Sequence, residues 1–120
     1  MFELIEKKSK FFGYAIKVKS IQEVDNALNK IKSENKKPTH ICYAYLLSSP
    51  VLAKAVDDGE PSGTAGRPIL NVIEKRGLKD VLVVVVRYFG GVKLGAGGLV
   101  RAYTKCANGA VEELECKWQI

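Results

Sequence analysis

The chain has 120 residues with a formal net charge of +6, 47% hydrophobic and 27% charged, which suits one soluble domain with its own core. Its longest apolar run, Val81–Val86, is too short to span a bilayer, and the acids and lysines of "MFELIEKKSKFF" exclude a secretory signal. Cys42, Cys106 and Cys116 form no C-x-x-C pair, and so odd and sparse a count argues against a disulfide framework or a zinc site; free thiols in a cytoplasmic protein are the simple reading.

In chain order, "KSKFFGYAIKVKS" alternates, with Phe12, Tyr14, Ile16 and Val18 on one side, and predicts a strand. Ser20 and Glu23 hold capping-box spacing ahead of Ile21, Val24, Leu28 and Ile31, which predicts an amphipathic helix from about Ile21 to Asn35. "HICYAYLLSS" reads as the next strand and "VLAKAV" as its hairpin partner across Ser48-Ser49-Pro50. A turn, "DDGEPSG", leads to a short helix with Pro68 in its first turn and Gly77 at its C-terminal cap. "DVLVVVVRYF" is almost continuously apolar and predicts a strand buried on both faces, interior to the sheet. The last helix is predicted from Gly98 or Leu99 to about Leu114. The order β-α-β-β-α-β-α predicts an α+β domain with a mixed sheet and helices on one face.

Two stretches carry the functional signal. "RYFGGVKLGAGGLVRAY" (Arg87–Tyr103) places a glycine-rich turn between a buried strand and a helix. Gly90, Gly91, Gly95, Gly97 and Gly98 let backbone approach a ligand, and a helix N-terminus offers unpaired N–H groups. With Arg87, Lys93 and Arg101 close by, this is a candidate anion cradle, although neither a Walker nor a dinucleotide-binding fingerprint can be written here. "DDGEPSGTAGRP" (Asp57–Pro68) is the acidic counterpart, with Asp57, Asp58 and Glu60, the natural caps Ser62 and Thr64, and Arg67. Its acids suit a divalent cation, pairing with the basic loop, or a solvated turn; no complete ligand set is present, so no metal is assigned.

His40 and Cys42 share a strand face, but a nucleophile pair needs an orienting third group and none is evident, so no catalytic residue and no cofactor is assigned. Tyr43 and Tyr45 share the opposite side, where bases could stack if that face is open. The +6 charge favours an anionic partner, and no membrane partner is expected.

The two loops, with "HICYAY" and "KKSKFFGYA" upstream, resemble the signature of the YigZ/IMPACT family from about Lys7 to Glu113. Residues 1–120 then read as a single domain of that family's N-terminal type. The resemblance implies a two-layer α/β sandwich, shared with a domain of a small-subunit ribosomal protein and with GHMP kinases. It implies a role linked to translation: eukaryotic members restrain the amino-acid-starvation kinase by competing for its ribosome-associated activator, and RNA or ribosome binding is the usual suggestion for bacterial ones. Three functions follow as expectations: an RNA- or ribosome-binding module, an enzyme or nucleotide-binding protein acting on a phosphorylated small molecule, or a protein-interaction regulator of a translation-control kinase pathway. If both helix N-termini lie at the same end of the sheet, the loops meet in one cleft.

Overall fold

A computed structural model of the chain describes residues 1–118. The elements are β1 (Phe2–Glu6), β2 (Ser9–Lys17), α1 (Ile21–Glu34), β3 (His40–Ser48), β4 (Val51–Val56), α2 (Gly66–Lys75), β5 (Val81–Tyr88) and α3 (Gly95–Trp118). The expected α+β class holds, and β5 is the central strand of a sheet ordered β1-β2-β5-β3-β4.

Two expectations about the sheet are corrected. Every neighbouring pair is antiparallel, so the sheet is not mixed. β2 and β3 do run parallel, as a crossover through α1 requires, but β5 inserts between them and opposes both. Nor do the helices share one face. Val81, Val83 and Val85 of β5 pack with α2 and α3 through Ile69, Ile73, Tyr103 and Val111. Leu82, Val84 and Val86, on the opposite side of the same strand, pack with Val24, Leu28 and Ile31 of α1. A strand apolar at every position needs cover on both sides, and burying each such side chain contributes roughly 1.5–3 kcal/mol. The Tyr43–Tyr45 face is the one that packs with α1: Tyr45 is buried there and Tyr43 is partly buried.

Local signals act as the sequence implies at several points. Ser20 Oγ accepts from Glu23 N at 3.2 Å, while the Glu23 carboxylate reaches back to Lys19 N at 2.8 Å. α2 ends in a Schellman motif, with Gly77 at φ 64° and Leu78 N donating to the Ile73 carbonyl. β1 is an added element. It forms a hairpin with β2 across Lys7 and Lys8, which take φ of 45° and 69°, a left-handed pair that asparagine and glycine usually fill. α3 begins at Gly95 rather than Gly98 or Leu99, so half of the glycine run is helical.

Candidate functional site: the meeting of two loops

The β4–α2 and β5–α3 loops lie at the same end of the sheet, where a buried ion pair joins the first loop to the end of β5. Arg87 Nη1 donates to Glu60 Oε2 at 2.7 Å, and both side chains are almost fully enclosed. Tyr103 Oη, from α3, donates to the same oxygen at 2.5 Å. His40 Nε2 stands 3.4 Å from Glu60 Oε1, and its Nδ1 lies 2.8 Å from the Asp58 carbonyl. Burial pushes the Tyr103 hydroxyl far above its ordinary range, so it stays protonated as a donor. The Arg87 guanidinium is sandwiched between Phe11 and Phe89, 5.5 and 5.4 Å from the ring centroids, and its second amino group donates to Ser9 Oγ.

The acids of the first loop are consumed internally. Asp57 accepts from the backbone N–H groups of Gly63, Ala65 and Gly66, and so caps α2 from eight or nine residues upstream of its first turn. Desolvation pushes its carboxyl up, but the three donors together outweigh that and hold it below the usual carboxylate range. Asp58 accepts from Ile41 N at 2.7 Å and fastens the loop to β3. The loop's carboxylates are thus turned to backbone donors and to Arg87. Thr64 is not a cap either: its hydroxyl donates to the Pro61 carbonyl, and Ser62 is exposed in the turn.

Cys42, the sequence partner of His40, points into the core. Its thiol is buried, donates to the Asp57 carbonyl at 3.0 Å, and is pushed by burial up to about 12.

The predicted cations separate into three groups. Arg87 is committed to Glu60 and forms the floor of the site instead of being presented to a ligand. Arg67 lies on α2, paired with Glu74 at 3.2 Å, and takes no part. Lys93 lines a hollow of about 410 Å³ between the loops, with His40, Glu60, Phe89, Leu94 and Gly95. Arg101 lies in the second turn of α3 and faces an adjoining hollow with Lys7 and Lys105. Gly90 is the hinge of this arrangement, because a Cβ there would fall 2.0 Å from the Lys8 carbonyl oxygen. Only glycine lets the β1–β2 turn sit against the basic loop. Gly91 and Gly95 take φ of 89° and 74°, while Gly97 and Gly98 lie in the first turn of α3 beside the Arg101 guanidinium.

That contact recruits residues that carry no motif of their own. Lys8 and Lys10, with Tyr88 and Phe89, line a third hollow of about 500 Å³. Phe89 belongs to both this hollow and that of Lys93, and Leu94 to both that of Lys93 and that of Arg101, so the three are contiguous. Among the described residues, Lys7, Lys8, Lys10, Lys93 and Arg101 make no ion pair, and Lys105 pairs loosely with Glu6 at 3.4 Å. The "KKSK" run is visible in the sequence, but its place beside Gly90 depends on β1 folding back.

The Impact N-terminal domain matches residues 7–111, and the chain belongs to this family. It is 50% identical over 107 residues to the IMPACT family member YvyE of Bacillus subtilis, covering 88% of this chain and 49% of YvyE. A crystal structure of a hypothetical protein superposes with a TM-score of 0.88 at 33% identity, over 92% of this chain and 55% of the other. The structure of the two-domain translational regulator Yih1 matches with a TM-score of 0.60 at 25% identity, over 92% of this chain and 44% of Yih1. The chain thus spans about half the length of the curated relatives it matches. No helix among the described residues is long and apolar enough to cross a membrane.

Proposed function

We propose that this domain is an RNA-binding module of translation control, contacting RNA, ribosomal RNA included, through the surface around its glycine-rich loop. One observation carries the reading: unpaired cations from three separate segments, Lys7–Lys10, Lys93 and Arg101, gather around the glycine-rich loop, while the acids of the neighbouring β4–α2 loop are engaged by backbone donors and Arg87. A cluster of cations free of carboxylate partners favours a polyanion, whose phosphates release counterions on binding. The description of Yih1 as a translational regulator supports the link to translation, and a protein partner in that process is compatible with the same domain.

The test is fluorescence anisotropy with a labelled structured RNA at two salt concentrations. Replacing Lys93 and Arg101 with alanine is expected to weaken binding and to lower the salt slope by about 1–2. Unchanged affinity and slope in the double variant would defeat the assignment. A second reading, a phosphorylated small molecule in the Lys93 hollow, is favoured by that hollow's size and its mix of apolar wall and polar edge. It predicts a rise in melting temperature with a nucleotide at millimolar concentration, and a flat response across a nucleotide panel would remove it.

A further inference from the structure

Among the described side chains, Phe89 is the one aromatic that is largely exposed, at 47%. It lies just past the end of β5, where the apolar core no longer needs it. Its position is nevertheless fixed. Its backbone N–H donates to Thr39 Oγ1 at 2.9 Å, and the Arg87 guanidinium covers one side of its ring at 5.4 Å. Arg87 is itself held by Glu60, Ser9 and the Phe11 ring. The ring is therefore pinned from behind by a buried stack, with its remaining surface turned to solvent. It also forms the ridge between two hollows, with Lys93 in one and Lys8 and Lys10 in the other. An aromatic platform with cations on both sides is the arrangement that tracks a single strand: bases stack on the ring while phosphates run past the charges.

We propose that this surface takes an unpaired RNA strand, with a base stacked on Phe89 and the flanking phosphates held by Lys93 on one side and by Lys8 and Lys10 on the other. The inference rests on the RNA reading above and specifies its substrate. A paired A-form helix keeps its bases stacked on one another and cannot offer one to the ring. Thr39 and His40 border the Lys93 hollow beside the ring, within reach of a stacked base.

The experiment compares a labelled oligouridine of about a dozen nucleotides, a length within the usual range of single-strand site sizes, with the same strand paired to oligoadenine. Wild type is expected to prefer the single strand. Phe89→Leu, which keeps an apolar side chain but no platform, is expected to weaken single-strand binding roughly tenfold and to leave duplex binding and the salt slope unchanged. Phe89→Trp is expected to keep the preference, and thermal melts establish that both variants fold. Equal weakening of both RNAs by Phe89→Leu, or single-strand affinity within about twofold of wild type, would overturn the stacking proposal while leaving the RNA reading in place. If wild type binds neither RNA at low salt, the RNA reading itself falls, and this inference with it.

Discussion

The acidic and basic loops look alike in the sequence, each glycine-rich, each charged, each placed between a strand and a helix, yet they use their charges in opposite ways. Asp57 and Asp58 face backbone N–H groups, and Glu60 faces Arg87, Tyr103 and His40. Lys93 and Arg101 face solvent with no carboxylate within salt-bridge distance. The reason is chemical. A carboxylate accepts from the many orphan donors at a helix N-terminus, and α2 supplies them within reach. An ammonium or guanidinium at the N-terminal end of α3 finds no such partners, since the backbone there presents donors too. The first loop is therefore a brace and the second a surface.

That contrast predicts graded effects of substitution. The largest is expected for Glu60→Ala, which leaves the Arg87 charge buried and unpaired and should cost about 3–5 kcal/mol in denaturant unfolding. A cost under about 1 kcal/mol would mean that the brace is dispensable. Gly90→Ala comes next. The added carbon collides with the Lys8 carbonyl, so a loss of about 1–3 kcal/mol is expected, along with weaker RNA binding as the lysine hairpin moves away.

Asp57→Ala removes the remote cap of α2, for an expected loss of about 1–2 kcal/mol at neutral pH. The folded-state pKa of Asp57 is depressed, so its contribution is fully present above the unfolded value of about 3.9 and is lost as pH falls through the lower folded value. Melting curves of wild type and variant should begin to converge as pH falls below about 4 and meet only below the lower folded value; a gap that stays constant into acid would show that the carboxylate's charge is not what caps the helix. The smallest effect on stability is expected for the Lys93→Ala/Arg101→Ala pair, within about 0.5 kcal/mol of wild type, whatever it does to the proposed RNA binding. A large loss of stability in that pair would erase the distinction between brace and surface.

Much of the scaffold was legible because it is written in local periodicity. The capped helix at Ser20, the hairpin at Ser48–Pro50, the glycine stop at Gly77 and the buried strand β5 all follow from neighbours in sequence. β1 escaped because Lys7 and Lys8 carry no turn signature, although Phe2 and Leu4 alternate with polar Glu3 and with Ile5. The reach of Asp57 escaped because a cap normally sits at the helix it serves, whereas here a loop folds over to bring the carboxylate back. Two readings of Arg87 are open in the sequence, a ligand contact or a pairing with the acidic loop, and only its burial beside Glu60 favours the second.

By itself the sequence determined the class of fold, the family and the two loops that matter, because these depend on residue type and spacing along the chain. The tertiary structure decided the antiparallel sheet, the two-sided helix cover and which charges remain free. Those depend on which strand inserts between β2 and β3, and on which oppositely charged groups approach within hydrogen-bond distance. Glu60 and Arg87 are separated by 27 positions in sequence and by 2.7 Å in space, and no local pattern records such a pairing.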